Sequence, residues 1–307
     1  MPTHPYVTVD VFTERAFAGN PLAVVTDARG LGPEQMQAIA AEFGYSESTF
    51  VLPPEEPAHT ARVRIFTPRR EVPFAGHPNV GTAFVVARRA ERSGRPLGST
   101  LLFEEGAGLV PVDLVRDGGG RTIGAVLTAP QPLTLGATVP ARVVAECVGL
   151  APDAVLTARH EPVVASVGLA FVVAEVAIEA IGAARPDLAA FAVAARHHPS
   201  EAGWFSLFLY ARVVDGSDGA DLRARMFAPL GGIMEDPATG SANGALIALL
   251  TQLEPGPDTR LALEVRQGVE MGRPSLLSLS AEKRAGAVAR VRVGGRCAPV
   301  TEGTLEV

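Results

Sequence analysis

Arg64-Ile65-Phe66-Thr67-Pro68 recurs in the second half of the chain as Arg225-Met226-Phe227-Ala228-Pro229. In both copies the R-x-F-x-P pattern runs into a loop and then into a glycine that opens a helix. Those glycines, Gly76 and Gly240, are each followed by an asparagine one helical turn on, Asn79 and Asn243. Two matches in the same order and at nearly the same spacing predict a duplicated half-chain.

The segments around the repeat read as mixed strand and helix. Strands are predicted over 6–12, 22–26, 49–52 and 61–67, where Arg62 and Arg64 alternate with Val63 and Ile65. Pro33 starts a helix with Met36, Ile39, Ala40 and Phe43 at helical spacing, and Gly44 stops it. A helix is expected from Gly76-His77-Pro78 to about Arg92, then strands over 101–113 and 124–127. The Pro-rich stretch Pro130 to Pro140 is the expected crossover into the second half. There a helix to Val148 precedes strands over 163–178, a helix near 187–196 and strands over 206–227. The turn Glu235 to Ser241 leads into an apolar helix ending near Leu253, and the remainder reads as strands.

A glycine at a helix N-terminus has a chemical meaning. The first backbone N–H groups have no partner within the helix, and the helix dipole is positive there. Glycine lets an anion approach that backbone closely. Halves related by a pseudo-twofold axis would bring both openings to one cleft, which suits a small carboxylate. Phosphate is the weaker reading, because neither G-x-x-x-x-G-K-[ST] nor G-x-G-x-x-G occurs. The polar groups near the openings are Glu47, His77, Asp236 and Ser241. A carboxylic acid, an imidazole, a second carboxylate and a hydroxyl converging on a carboxylate would make a proton-transfer site. Glu47 lies between a helix stop and an apolar strand, where partial burial would raise its pKa and fit it to act as both base and acid.

Composition removes other classes. The 307 residues carry a net charge of -6 with no basic run, which argues against nucleic acid. Lys283 is the only lysine and lies in the charged stretch Glu282-Lys283-Arg284, a poor setting for Schiff-base or pyridoxal-phosphate chemistry. The two cysteines, Cys147 and Cys297, lack metal-ligand spacing and are too few for a disulfide framework. Cys147 belongs on the apolar face of its helix, while no partner suggests itself for Cys297. His197-His198 suits the negative end of a helix rather than a metal. The N-terminus has no signal-peptide pattern, and the most apolar stretch, Val163 to Ala184, carries Glu175 and Glu179 and reads as buried sheet rather than a membrane span. A cytoplasmic protein is expected.

At this level of detail the chain resembles the PhzF-like (phenazine biosynthesis) isomerases. The resemblance is carried by Asp10-Val11-Phe12 with Phe17-Ala18-Gly19-Asn20-Pro21, by Glu47-Ser48-Thr49-Phe50-Val51 and by Phe74-Ala75-Gly76-His77-Pro78. It continues through Glu235-Asp236-Pro237-Ala238-Thr239-Gly240-Ser241-Ala242 and Gln267-Gly268 with Met271-Gly272-Arg273-Pro274-Ser275. The resemblance implies an α/β (α+β) diaminopimelate-epimerase-like fold of two pseudo-symmetric halves, each a curled β-sheet around a central helix. The halves would be residues 1–128 plus 298–307, and 129–297, with the site in the cleft between them. It also implies a cofactor-free, metal-free isomerase acting as a homodimer on a small carboxylate, in the manner of trans-2,3-dihydro-3-hydroxyanthranilate isomerase.

By motif position, the resemblance makes Glu47 the acid/base, with His77 and Asp236 bonding the reacting region. Ser241 and the Gly76 and Gly240 backbone would hold the substrate carboxylate. Related racemases of this fold use one cysteine in each opening loop, and neither loop here contains one, so two-thiol racemisation is excluded. Two alternatives stay open: a one-base epimerase of another small carboxylate, and a non-catalytic small-molecule binding protein. Simple structural roles also stay open, including Asp236 as the helix cap before Pro237 and Ser241 bonding its own helix end. Arg273 and Gly19-Asn20-Pro21 receive no role beyond structural support or the pocket rim.

Overall fold

The computed structural model describes residues 2–200, 204–213 and 219–307. The chain divides into two compact units, Met1–Thr128 with Gly294–Val307, and Ala129–Val293. The second crossing falls inside a strand, at Gly294, where the sequence reading put it at residue 298.

Unit 1 is built on β1 (Thr3–Val11), β2 (Asn20–Val25), β3 (Ser48–Leu52), β4 (Ala61–Phe66) and the short β5 (Glu71–Val72). It continues with β6 (Thr100–Glu105), β7 (Gly108–Arg116) and β8 (Thr122–Thr128), joined by the far part of a long last strand, β18 (Ala287–Glu306). β1 pairs antiparallel with β2, β2 runs parallel to β3, β3 is antiparallel to β4, and β4 is parallel to β6. β6–β7 and β7–β8 are antiparallel, β8 pairs with β18, and β18 returns to β1. The sheet therefore closes on itself and has no free edge along this ring.

Helix α2 (Gly76–Arg92) fills the ring, with His77 through Val85 and Ala87 buried. Gly81 is required there, since a Cβ would lie 2.6 Å from Leu22 Cδ2 and 2.8 Å from Val11 Cγ2. Helix α1 (Pro33–Phe43) lies outside on Met36, Ile39 and Ala40, and ends at Gly44 in the left-handed conformation, φ 65.

Unit 2 repeats the plan. β9 (Thr134–Thr138), β10 (Val155–Leu156), β11 (Val163–Ser166) and β12 (Ala170–Val176) lead to β13 (Leu207–Arg212) and β14 (Leu222–Ala228). β15 (Ile233–Asp236), β16 (Thr259–Gln267) and β17 (Ser275–Arg284) follow, before the start of β18. β12 is parallel to β13, β13 antiparallel to β14, β14 parallel to β16, and β16 antiparallel to β17, the same series of pairings as β2-β3-β4-β6-β7. Helix α6 (Gly240–Leu253) is the counterpart of α2 and is buried from Ala242 to Thr251. Helices α3 (Ala141–Val148), α4 (Ile178–Ile181) and α5 (Leu188–His197) complete the unit.

The R-x-F-x-P repeat that predicts this duplication has a matching physical role in each copy. Arg64 donates through Nε and Nη2 to Glu71 at 2.7 and 2.6 Å, and its guanidinium lies 5.1 Å over the Phe66 ring. Arg225 donates through Nε and Nη2 to Glu235, each at 2.8 Å, and lies 4.8 Å over Phe227. Each arginine clips its strand to the segment that leads into the central helix.

Several details differ from the sequence reading. The crossover Pro130 to Pro140 contains β9, paired to β11. The apolar stretch from Val163 is sheet only to Val176, after which α4 forms. Between the strands expected to end at 227 and the turn expected at Glu235, Pro229–Gly231 is a 3-10 turn and Ile233–Asp236 pairs with β14. Within the expected strands over 206–227, residues 214–218 lie outside the described residues. Lys283 is buried: its ammonium donates to Gln252 O at 3.4 Å and to Glu254 O, neutralising the carbonyl end of α6. Cys147 sits in the apolar core of unit 2 and Cys297 is buried on β18 opposite Val11.

Candidate active site

In unit 1, β3 follows Glu47 directly, so the strand fixes where the carboxylate is held. Its side chain is 20% exposed, and Oε2 lies 3.6 Å from His77 Nδ1, ion-pair distance rather than a hydrogen bond. Burial raises the Glu47 carboxyl above the ordinary carboxylate range, against a smaller opposing pull from a hydrogen bond of Ser46. Ser46 Oγ in turn donates to Asn20 Oδ1 at 3.4 Å.

Asn20 follows a tightly constrained turn. Asp10 Oδ2 accepts from Phe17 N at 2.6 Å, while Phe12 and Phe17 hold positive φ of 65 and 68. At Gly19, φ +66, a Cβ would lie 2.3 Å from Val11 O, so only glycine fits. The Asp10 to Asn20 motif thus acts as a support for Ser46 and Glu47. Thr49 Oγ1 and Thr82 Oγ1, 2.8 Å apart and both buried, tie β3 to α2.

The α2 opening has Ala75 at the N-cap position and no side-chain cap. Gly76 and His77 begin the helix, and Asn79 Nδ2 donates back to Ala75 O at 3.1 Å. In unit 2, α6 opens at Gly240 with Thr239 as N-cap, again with no side-chain cap. Helix α5 shows the contrast: Asp187 Oδ1 accepts from Ala189 N at 2.8 Å and Ala190 N at 3.0 Å. Neither central helix has such a side-chain cap, as α1 and α3 also have none, and in both the glycine lies at the positive end of the helix dipole.

Asp236 is not the α6 cap that the sequence suggests. It ends β15, where its pairing with Met226 holds it in the sheet, and Pro237 to Thr239 still intervene before the helix. Its buried Oδ2 accepts from Thr239 Oγ1 at 2.5 Å. Ser241 is the partly exposed residue in an otherwise buried first turn. Two further residues shape this opening. Gln267 Oε1 accepts from Thr239 N at 3.2 Å and Asn243 Nδ2 at 2.8 Å, and Ser275 Oγ donates to Pro237 O at 2.9 Å.

Glu47, Gly76 and His77 therefore gather in unit 1, and Asp236, Gly240 and Ser241 in unit 2. The sequence assigns no role to Ser46, Asn20, Thr239 or Gln267, although all but Ser46 lie in motifs that stand out in it. Neither cysteine lies in a helix opening. Among the described residues, no group of three or more His, Cys, Asp or Glu could hold a metal ion. None of the described helices is long and apolar enough to cross a membrane.

Two units of one plan, each a curled sheet around a helix with a glycine opening, define the diaminopimelate-epimerase-like fold, and relatives that carry these motifs are named isomerases. The chain belongs to the phenazine biosynthesis-like protein family (PhzC-PhzF), whose pattern it matches over residues 9–303. It is 39% identical to an uncharacterized isomerase of Mesorhizobium japonicum over 99% of both chains. It is 36% identical to the trans-2,3-dihydro-3-hydroxyanthranilate isomerase of Pseudomonas aeruginosa, over 98% of each. A crystal structure of a PhzF-family phenazine biosynthesis protein from Bacillus anthracis superposes with a TM-score of 0.85 over 100% of both chains, at 24% identity, a likeness of fold. The chain is thus a PhzF-like isomerase.

Proposed function

We propose that the protein moves a proton, and with it the double bonds, on a small carboxylate substrate, with Glu47 as the single acid/base. The observation that carries this reading is the Glu47 carboxyl, raised by burial and 3.6 Å from His77 beside the uncapped α2 opening. A carboxyl with a raised pKa takes a proton in one step and returns it at another position in the next, without a thiol.

In this reading the Gly76 and Gly240 openings and Ser241 hold the substrate carboxylate, and His77 and Asp236 hydrogen-bond the reacting region. Two uncapped N-termini, each with a partial positive charge of about half a unit, favour an anion. The first compound to test is trans-2,3-dihydro-3-hydroxyanthranilate, because a relative 36% identical over 98% of both chains is named as its isomerase.

The test is incubation of the purified protein with this compound in D2O, followed by NMR of the ring protons. Isomerisation with deuterium entering the ring supports the reading, and an unchanged spectrum removes this substrate. If the Glu47→Gln variant turns over at the wild-type rate, the assignment of Glu47 fails.

A further inference from the structure

Around the two helix openings the repeat keeps the glutamate, proline, glycine and asparagine positions of the turn (Glu71/Glu235, Pro73/Pro237, Gly76/Gly240, Asn79/Asn243), but the strand end that braces the turn differs. Gln267, the last residue of β16, braces the α6 opening with both ends of its amide. Besides the two bonds that its Oε1 accepts, Nε2 donates to Asp236 O at 2.8 Å and Thr239 Oγ1 at 3.1 Å. Gly268 follows, packed so that a Cβ would lie 2.5 Å from Pro237 O. In unit 1 the last residue of β6 is Glu105. Gly106 follows, where a Cβ would lie 3.1 Å from Pro73 Cα, and Ala107 N donates to Pro73 O at 3.0 Å. Asn79 and Asn243 also correspond, each donating to the carbonyl of its N-cap residue at 3.1 and 3.0 Å. An ionisable side chain therefore stands in unit 1 where unit 2 has an amide.

A carboxylate only accepts hydrogen bonds, whereas a carboxylic acid, like an amide, both donates and accepts. Both Glu105 carboxyl oxygens are buried without a hydrogen bond, and so is the Oδ1 of Asn79, the polar side chain that faces them. An ionised Glu105 would be a buried charge with, among the described residues, no cation beside it and only the Asn79 amide against it. A proton on Glu105 removes that charge and gives unit 1 a donor where unit 2 has the Gln267 Nε2.

The titratable groups on the neighbouring segments have other partners. Glu104 accepts from Glu55 N at 2.7 Å and Glu56 N at 2.9 Å and meets His59 at 2.7 Å. Glu71 is held by Arg64, and His77 lies by Glu47. Burial pushes the Glu105 carboxyl up to about 8, with Asn79 opposing.

We propose that Glu105 is a positioning residue that works as a neutral carboxylic acid, the unit 1 counterpart of Gln267, and holds the Ala75-Gly76-His77 opening through Asn79. Its meaning for catalysis rests on the function proposed above; its protonation does not. The sign of its pH effect follows from linkage. A carboxyl raised in the folded state adds stability below the unfolded chain's value, and that stability is lost as pH rises to about 8.

The test compares wild type with Glu105→Gln from pH 5 to 9.5, by melting temperature and by the backbone amide resonances of Gly76 and His77. In the wild type the melting temperature should decline up to about pH 8 more steeply than in the variant, and both resonances should shift with a midpoint near 8. Glu105→Gln should fold at pH 6 as stably as wild type and lack that shift. Identical pH responses in the two proteins, or a variant much less stable at pH 6, overturn the proposal. A melting difference without the resonance shift overturns the link to the opening. Absence of turnover on the tested anthranilate would count against the proposed function and leave both of these readouts intact.

Discussion

At the scale of the residue, Glu47 as the proposed acid/base carries opposed demands. To abstract a proton it must be a carboxylate, yet burial favours its protonated form in the folded chain. Activity therefore needs the pH to rise through a value above the ordinary carboxylate range. Over the same window, linkage removes the stability that the protonated group contributes, because the unfolded chain has already lost that proton. We expect kcat/KM to rise with pH, with a limb displaced upward from about 4.3, while melting temperature falls across the same interval. Stopped assays over pH 4–9 check the first and calorimetry the second. Glu47→Gln should lower turnover by about 10²- to 10⁴-fold and remove the share of the melting slope due to Glu47. An acid limb that stays at the ordinary carboxylate value would refute the burial argument.

At the scale of the element, the segment that holds Glu47 is supported by a turn distant from it in sequence. Gly19 is forced by the 2.3 Å approach of a would-be Cβ to Val11 O and by its positive φ, and the next residue supports Ser46. Gly19→Ala should destabilise by more than the ~1 kcal/mol that the same change gains at an unstrained site, and disturb Glu47 through Asn20. Urea unfolding together with the pH profile measures both, and an unchanged profile would detach the turn from the site.

The elements also show what the sequence made legible. The central helices, their glycine openings and the R-x-F-x-P strands were readable because each is a local pattern repeated twice. β9 was not, because all five of its residues are exposed and its flanks are proline-rich; only the β11 partner makes it a strand. Asp236 has the composition of a helix cap, but sheet pairing holds it back. Glu104 and Glu105 look alike in sequence, and the strand's alternation sends one to a ring of donors and buries the other.

At the scale of the whole molecule, duplication has not kept the halves energetically equal. Arg225 is 3% exposed and also donates to Ile181 O and Ala184 O, whereas Arg64 is 19% exposed. Removing one partner of a buried pair leaves the other charge stranded. Arg225→Met should therefore cost about 3–5 kcal/mol, and Arg64→Met about 0–1 kcal/mol. Chemical denaturation of the two variants decides the matter, and equal losses would mean that the copies share the load.

The long strand β18 gives the molecule an order of assembly. Its residues 297–306 are the antiparallel neighbours of residues 3–11, so one seam of the first barrel joins segments far apart in sequence. On the ribosome the first unit is made early and cannot close its ring until the final strand leaves the exit tunnel. Residues Ala129–Val293, by contrast, carry their own central helix and all its flanking sheet in one continuous run. During translation the second-made unit is free to pack first, and the earliest residues wait with an unpaired edge for the latest.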